Sequence, residues 1–533
     1  MPPPCSQCGA FVLSAGDDVE VNLTTAPWTL ARFVQLASTN EPPRDPELSL
    51  IRPIVEKTSA HLASLDAEIS RLQNRLRELE EERTALSIQH SQNTKILSPL
   101  RRMPPRYLVK YSRGHCRRSM IFSTPTSAWV LTHVCSSWRA VALSKASLWS
   151  LITIDFPIKQ RYSSQLIRVQ MERAHSLKIH FFGSQERDSV NQISLLLTLA
   201  EHSDRWKELS IQLTSKMVPY LMSFRDNLAA LQRVWVQWHT AESQDPEFNS
   251  IDFLQMAISL VDITVYCQYR FLPTRLPMAH QLIRYDFDAP WPTHYELLKS
   301  LPNLQQVSIS LFDEAEARPD PGEPLELLHL RRLYVGDARS LDYLRAPSLE
   351  EISLLVAVGT DSTAPATHLE RFIIRSSCSP RSLRLKGILH APSIAEMLGK
   401  YPSFTEVAVT PPDDEDENIQ REVLSTFITL FTISKSTLSP LPHITNIGYG
   451  SRNAEAIVCP LFLNMLESRW TVGDRACALK AAELLFISAE ALLDPRSVAR
   501  MQTLREAGLQ ISLLSGRGAR DRVNVWLHEA DWA

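Results

Sequence analysis

Glycine is the residue type that this chain most clearly lacks. It supplies 15 of the 533 residues, against an average usage of about 7 % in proteins. This scarcity argues against folds that depend on many glycine turns and against a glycine-rich phosphate-binding core. The sequence also has no P-loop, no dinucleotide-binding glycine fingerprint, no HExxH and no nucleophile elbow. It therefore predicts no cofactor and no catalytic residue, and we expect the chain not to be an enzyme.

Long apolar runs and an excess of one charge are missing as well. Apolar runs such as 423–433 are interrupted within about a dozen residues, whereas a membrane-spanning helix needs about 20. The N-terminal residues show no basic stretch followed by an apolar one, so no secretory signal is predicted. The net charge of −3 creates no overall field that favours nucleic acid or a membrane surface. We expect a cytoplasmic or nuclear protein without a membrane or nucleic-acid partner.

Cysteine is sparse, and its eight residues are scattered. Reduced thiols are predicted rather than a disulfide framework. Cys5 and Cys8 form a lone CxxC pair, whereas a structural zinc site needs four ligands. The acidic run 413–418 does not continue as a calcium loop, because Ile419 stands where glycine is required and Ser425 where the last acid belongs. No metal site is predicted.

Residues 51–96 carry the strongest local pattern that is present. Apolar residues recur at alternating steps of four and three, and nine of eleven seam positions are apolar: Ile51, Val55, Thr58, Leu62, Leu65, Ile69, Leu72, Leu76, Leu79, Arg83 and Leu86. The pattern predicts a long coiled-coil helix. Its seam must be buried either in a parallel homodimer or against the chain's own body, and both solutions stay open. The Pro-rich residues 1–50 are predicted to be extended or disordered.

Residues 156–450 follow a different rhythm. Strand-like segments start near 209, 231, 261, 282, 304, 330, 349 and 369, at intervals of 19 to 30 residues. Many open with Leu and two polar residues before an alternating β-rich stretch. One strand per repeat of this length is typical of a leucine-rich-repeat solenoid. The predicted fold class is α/β, with an irregular leucine-rich-repeat-like solenoid; an ordinary α/β domain with coincidental spacing is the alternative.

Two tryptophans in one predicted strand are candidate contact residues for a protein partner. Trp235 and Trp238 are three residues apart, so a strand places them on opposite faces, one in the core and one exposed. After the repeats, 451–533 is predicted as a C-terminal helical cap and tail. It would include a helix over 474–493 and a last strand over 509–514.

A tryptophan-containing block precedes the repeats. Apolar residues at steps of three and four predict a helix over 128–143 with one buried face. The block reads VCSSWRAVALS at 134–144 and LWS at 148–150, and LSPLRRMPPRYL precedes it at 97–108. These segments resemble a large family of basidiomycete F-box proteins, in which a coiled-coil lead-in runs into L-S-P-[IL]-R-R-[LM]-P-P-E-[IL]-L and then V-C-S-x-W-R-x-V-A-L-S. The resemblance covers residues 38–213.

The resemblance implies an F-box-like module at 97–155 that docks on the Skp-type adaptor of a cullin–RING ubiquitin ligase. The repeat domain would then select an unknown protein substrate. Positions in the family motif assign adaptor docking to Met103, Pro104, Pro105, Leu108 and Val109. They assign the core of the module to Val134, Trp138, Val141, Leu143 and Trp149.

The docking segment departs from the family pattern in its charge. Arg106 replaces the acid that follows the double proline, Lys110-Tyr111-Ser112 replaces an apolar pair, and 101–118 holds seven basic residues and no acid. Burying such charges unpaired costs several kcal/mol. A scaffold that no longer docks the adaptor is therefore the first alternative function. The second is an enzyme on an unusual fold, which would need a pocket with convergent titratable groups.

Overall fold

The computed structural model describes residues 30–97, 128–156, 162–238, 250, 252–267, 274–277, 281–311, 322–356, 363–387, 390–412, 417–433, 441, 443–451, 458–470, 479–487 and 494–527. Several predicted features lie outside these residues: Met103, Pro104, Pro105, Leu108, Val109, Cys5, Cys8, the basic run 101–118 and residues 413–416 of the acidic run. The chain forms two compact units, 1–103 and 104–533.

The first unit contains two described helices, α1 (Leu30–Ser38) and α2 (Asp45–Leu97). Arg32 of α1 pairs with Glu41 (2.9 Å) and with Glu47 (3.2 Å). The backbone N–H of Arg44 donates to Oε2 of Glu47 at 2.7 Å, which satisfies one donor at the start of α2. The prediction of an extended or disordered segment over 1–50 is therefore wrong where these two helices lie.

The helix α2 contains the predicted heptad pattern and extends it at the N-terminal side. It has 53 residues and is about 80 Å long at 1.5 Å per residue. The helix starts at Asp45, earlier than the predicted residue 51, so Pro53 lies inside it. No residue of α2 is buried, and the seam residues Leu62 and Leu76 are 60 % and 58 % exposed. Within the described residues, the apolar seam of this long helix is thus exposed.

The second unit is an α/β structure. Its described helices are α3 (Ala128–Val134), α4 (Ser136–Ser144), α5 (Ser164–Arg173), α6 (Ser189–Ala200), α7 (Val218–Met222), α8 (Trp291–Lys299), α9 (Ala364–Ser376), α10 (Ala391–Lys400), α11 (Glu417–Phe431), α12 (Val458–Trp470), α13 (Pro495–Glu506) and α14 (Gly516–Trp526). Among the helices that the structure describes, none combines the length and the apolar character needed to cross a lipid bilayer.

The strands of this unit are β1 (Leu151–Asp155), β2 (Leu177–Phe182), β3 (Trp206–Leu213), β4 (Arg233–Trp238), β5 (Asp262–Tyr266), β6 (Arg284–Ala289), β7 (Gln306–Leu311), β8 (Leu325–Glu326), β9 (Arg332–Val335), β10 (Leu344–Arg345), β11 (Glu351–Val356), β12 (Ser382–Gly387), β13 (Glu406–Thr410), β14 (Asn446–Ser451), β15 (Ala481–Phe486) and β16 (Gln510–Ser515).

Fourteen of these strands form one parallel sheet whose order follows the chain. The order is β1-β2-β3-β4-β5-β6-β7-β9-β11-β12-β13-β14-β15-β16. The strands β8 and β10 pair with each other in a separate parallel ribbon. Because the first and last strands lie at opposite ends of the order, the described sheet is not closed. Parallel neighbours require crossover connections, and several of these contain the helices.

Alternation within the strands gives the sheet one apolar face. One row of this face takes a buried residue from each strand, in register with the next: Ile152, Ile179, Leu209, Val234, Ile263, Tyr285, Val307, Leu333, Ile352, Leu383, Val407, Ile447, Ala482 and Ile511. A second row, two residues further along each strand, runs from Ile154 to Leu513. Helix residues such as Ile167, Leu196 and Phe372 share the same core cluster. The main core therefore lies between the apolar face and the helices.

One of the predicted central strands is a helix. Residues 369–376 form the second half of α9, whose Leu369, Phe372, Ile373 and Ser376 are buried. These positions recur at steps of three and four, which is the period of a helix. The interpretation as a strand was wrong because a leading Leu followed by two polar residues fits both patterns.

The C-terminal region continues the sheet instead of forming a helical cap. The strand β14 crosses the predicted boundary at residue 450, and the predicted helix over 474–493 contains β15. The sequence AAELLF of β15 has high helix propensity, but its position between β14 and β16 overrides that preference. The predicted last strand over 509–514 corresponds to β16.

The described part of the expected F-box-like module shares the core of the sheet. Ala128, Ala142 and Leu148 belong to the same apolar cluster as the sheet's first strand, β1. The single helix predicted over 128–143 is divided into α3 and α4 at Cys135, which has extended backbone angles (φ −161°, ψ 172°). Residues 128–155 are therefore continuous with the sheet rather than separated from it at residue 155.

Candidate protein-interaction surface

The polar face of the sheet, which is formed by the strand residues that alternate with the apolar rows, carries a row of paired charges. Lys178, Glu208, Arg233, Asp262 and Arg284 come from the successive strands β2 to β6 and lie in register. Neighbouring strands are about 5 Å apart, and the sign of the charge alternates from each strand to the next. We call these five residues the charge ladder.

Ion pairs join the members of the charge ladder. Nζ of Lys178 lies 2.7 Å from Oε2 of Glu208, and NH1 of Arg233 lies 3.3 Å from the same oxygen. Nε of Arg233 lies 3.1 Å from Oδ2 of Asp262, and NH1 of Arg284 lies 3.1 Å from Oδ1 of Asp262. Opposite charges on neighbouring strands favour this register over a shift by one residue, which would set apolar side chains against them.

Glu208 contacts two cations of the ladder, Lys178 and Arg233, and also a histidine outside it. Its side chain is 7 % exposed, and its Oε1 lies 2.9 Å from Nε2 of His180. Burial alone would raise the pKa of Glu208. Hydrogen bonds with His180 and Lys178, together with the charges of Lys178 and Arg233, outweigh burial and lower this pKa to about 2. The carboxylate is therefore ionised at neutral pH.

The lowered pKa of Glu208 predicts a loss of stability in acid. The pKa falls from 4.5 to about 2 on folding, so the carboxylate's contribution, on the order of 2–3 kcal/mol, is complete above pH 4.5 and vanishes as the pH falls towards 2. In hydrogen exchange, Glu208→Gln should therefore lower the free energy of opening of β3 strongly at pH 7 and weakly at acid pH. An equal difference from wild type at both pH values would contradict this prediction.

Asp286 is a buried acid at the end of the charge ladder. It is 1 % exposed. Its Oδ2 accepts hydrogen bonds from the hydroxyl of Tyr266 and from NH2 of Arg284, both at 3.1 Å. Burial raises the pKa of Asp286, although the charge of Arg284 lowers it. Arg284 thus supports two acids, Asp262 and Asp286.

Three aromatic side chains lie beside the charge ladder and form what we call the aromatic band. The ring of Trp235 lies between those of Phe182 (6.2 Å between centroids) and Tyr266 (6.4 Å), at interplanar angles of 69° in both cases. All three side chains are half-buried. The strand neighbours of Trp235 in register are Ser210 and Thr264. A large indole between two small side chains leaves part of its surface accessible.

The structure separates the two tryptophans that were candidate contact residues. Trp238 is in register with Leu213 on the apolar face and is 1 % exposed, so it belongs to the core. Trp235 lies on the polar face. Residues three apart in a strand lie on opposite faces, so one tryptophan is in the core and the other is at the surface. Of the two, only Trp235 is accessible to a partner.

The opposite end of the polar face is covered by the chain's own C-terminal helix. Residues of α14 form a second apolar cluster with this face: Ala408, Leu485, Ala519, Val523, Trp526 and Leu527. The ring of Trp526 lies so close to Gly448 that a Cβ there would stand 2.7 Å from Cζ2. The carbonyl oxygen of Trp526 accepts hydrogen bonds from Ser353 (2.8 Å) and Arg384 (3.3 Å). The polar face is therefore divided into a part under α14 and a part with the charge ladder.

Comparison with known proteins does not identify a function for this surface. No protein-family model and no curated protein matches the chain. Within the part of the chain that the structure describes, no group of three or more His, Cys, Asp or Glu side chains is arranged to hold a metal ion. The interpretation of the polar face therefore depends on its own geometry and chemistry.

The residues expected to form the F-box-like core occupy different environments. Trp138 and Val141 are half-buried, and Leu143 is 44 % exposed. The prediction of a core role for Leu143 is wrong, because the short helix α4 directs the neighbouring Ala142 into the core instead. The side chain of Val134 is outside the described part of the chain.

Trp149 is fully buried and joins the helices α3 to α5 to the sheet. Its ring meets Trp129 edge-on, at 5.0 Å between centroids, and the guanidinium of Arg173 lies 4.5 Å from its centroid. Its Nε1 donates a hydrogen bond to the carbonyl oxygen of Ala142 at 2.8 Å. Sequence reasoning predicted Trp149 but not Trp129 or Arg173, since these three residues meet only in the folded chain.

Proposed function

We propose that this chain is a non-enzymatic recognition protein of the F-box type. In this proposal, residues within 97–155 dock a Skp-type adaptor of a ubiquitin ligase, and the polar face over β2–β6 holds a protein substrate. The observation that carries the substrate-binding part is the half-buried aromatic band beside the charge ladder.

The architecture supports this proposal. Parallel strands that follow one another in chain order, with helices or turns between many of them, are the arrangement of an irregular leucine-rich-repeat-like solenoid, which is the fold we propose for the sheet. Such folds present one strand residue of each repeat in a continuous row. The charge ladder is a row of this kind, with one charged residue from each of five successive strands.

The chemistry of the aromatic band supports protein binding rather than another use. Tryptophan and tyrosine provide much of the binding energy in protein interfaces, because they bury a large apolar area and still offer one polar group. A surrounding set of charged residues, as in the charge ladder, supplies specificity and excludes wrong partners. Trp235 is central to the band, so it is the residue that we expect to contribute most to substrate affinity.

The adaptor-docking part is supported by the resemblance of 97–108 and 134–150 to the F-box family. Full-length chain and purified Skp-type adaptor should bind each other at micromolar concentration, and Leu108→Glu should abolish binding while Val190→Glu, at an exposed position of α6, should not. No binding of the wild-type chain would leave the alternative function, a scaffold that no longer docks the adaptor.

Replacing Trp235 by alanine should reduce substrate capture roughly tenfold or more, which is the effect of losing a central aromatic contact. The measurement is quantitative affinity purification from cells with wild-type and Trp235→Ala chains. Tyr220→Ala is the matched control, since Tyr220 is an exposed aromatic residue of α7 away from the polar face. Equal recovery of every partner by wild type and Trp235→Ala would refute the role of the aromatic band.

A further inference from the structure

The helix α2 presents a continuous apolar seam that the described structure leaves uncovered. Its leucines and isoleucines at the seam positions are about half exposed, among them Leu65 (46 %), Ile69 (51 %) and Leu72 (52 %), and no residue of the helix is buried. An apolar stripe of this length on an exposed helix is unfavourable in water unless another surface covers it.

The heptad pattern of the seam favours burial against a second, identical helix. In heptad positions, a is occupied by Val55, Leu62, Ile69, Leu76 and Arg83, and d by Thr58, Leu65, Leu72, Leu79 and Leu86. A two-stranded coiled coil buries such a stripe against an identical one. The area removed from water would be on the order of 1,500 Å², which is the size of a stable protein interface.

The charges beside the seam complement each other when two copies run in the same direction. In a parallel pair, each g residue faces the e residue five positions on in the other helix. Arg75 then faces Glu80 of the second copy, and His61 faces Asp66 of the second copy. No pair formed in this way over 61–87 brings two like charges together.

The reverse orientation offers attraction along one edge only. An antiparallel pair sets e residues against e residues and g residues against g residues, so Glu68 can meet Arg75 at the g edge. The e positions between 59 and 87 are Ser59, Asp66, Gln73, Glu80 and Ser87. They include two acids and no cation, so this edge offers repulsion or no attraction.

The charged seam residue Arg83 fits the parallel orientation as well. It occupies an a position, where two copies would set two guanidinium groups side by side. Glu82 occupies the adjacent g position, so each Arg83 has the carboxylate of the second copy's Glu82 within reach of its long side chain. Arg83 favours the in-register pair, because a shift by one heptad would place it opposite Leu76 of the second copy.

We propose that two copies of this chain associate through α2 as a parallel, in-register coiled coil. The pair would carry two polar faces and so bind a substrate with two sites, or two substrate molecules, with greater avidity than one copy. This inference goes beyond the function proposed above and does not depend on adaptor docking.

Sedimentation equilibrium of the full-length chain tests the association. The expected mass is twice that of one chain, and Leu72→Glu should return it to one chain. Ala67→Glu is the matched control, because it adds the same charge at an f position on the outer side of the helix. A wild-type monomer, or a dimer that survives Leu72→Glu, would overturn the proposal. Both positions are exposed in α2, so neither variant removes a buried side chain.

Charge reversal tests the direction of the two helices. In low salt, Arg75→Glu and Glu80→Arg should each weaken the dimer by about tenfold or more, because each sets two like-charged pairs in place of two attractive ones. A mixture of the two variants should recover dimers, since the carboxylate introduced at position 75 of one chain would then face the guanidinium introduced at position 80 of the other. Glu78→Gln removes the partner of Arg75 within the same helix (2.9 Å) and should leave the dimer intact. If the wild-type chain is a dimer but the mixture of the two variants forms no dimers, the parallel orientation is excluded.

Discussion

Replacing Trp149 by alanine is expected to lower the free energy of opening of β1 by about 3–5 kcal/mol, which is the usual cost of removing a fully buried tryptophan. Three contacts are lost together: the edge-on packing against Trp129, the stacking of Arg173 and the hydrogen bond to the carbonyl oxygen of Ala142. Native-state hydrogen exchange of the β1 amides measures the effect. The amides of β12, many strands away in the sheet order, should keep their protection.

The matched control for this prediction is Leu143→Ala. Leu143 lies near Trp149 in the sequence and is 44 % exposed, so its loss should change the free energy of opening by about 0.5 kcal/mol or less. The pair of variants therefore separates the buried residue of this block from one that the family resemblance also assigned to the core. Equal effects of Trp149→Ala and Leu143→Ala would show that Trp149 does not hold α3 to α5 on the sheet.

The strands of the central region were predictable where alternation was regular. In LQQVSISL at 304–311, Val307 and Ile309 point to one side and Gln306 and Ser308 to the other, and the structure places these pairs on the apolar and polar faces. The prediction of an α/β fold with a long N-terminal helix is confirmed for the same reason: both periods, two for strands and three to four for helices, are visible without any tertiary information.

The prediction failed where a short segment fits both periods. LERFIIRS at 369–376 reads as a strand by composition, yet its apolar residues also share one helical face, and the structure uses that face. AAELLF at 481–486 is the opposite case: its residues have high helix propensity, but the segment forms the strand β15. Local sequence could not decide either segment, because neighbouring strands supply the deciding hydrogen bonds and packing.

The charge ladder could be found from sequence only in part. Each of its members directly precedes the first apolar row residue of its strand, as Arg233 precedes Val234, and this recurrent position is a usable signal. The pairing itself is not visible in the sequence, since Lys178 and Glu208 are 30 residues apart and Arg233 and Glu208 are 25 apart. Which charges meet depends on the register that the connecting segments impose.

Replacing Arg284 by leucine is expected to lower the free energy of opening of β6 by about 3–5 kcal/mol, because breaking a buried ion pair leaves an uncompensated charge. Arg284 contacts Asp262 and Asp286, each at 3.1 Å. Asp262 keeps Arg233 as a partner, whereas Asp286 loses its only ion pair among the described residues. Hydrogen exchange of the β5 to β7 amides measures the loss.

A double variant shows whether the loss of stability in Arg284→Leu comes from the unpaired carboxylate of Asp286. Arg284→Leu combined with Asp286→Leu should be markedly less destabilised than Arg284→Leu alone, because no unpaired charge is then buried. Burial already raises the pKa of Asp286, and without Arg284 its pKa rises further. A carboxyl whose pKa is higher in the folded than in the unfolded chain destabilises the fold most at high pH, so the deficit of the single variant relative to wild type should shrink as the pH falls towards the ordinary range of an aspartate. A deficit that stays constant with pH, or a double variant as unstable as the single one, would show that Arg284 acts through packing rather than through its charge.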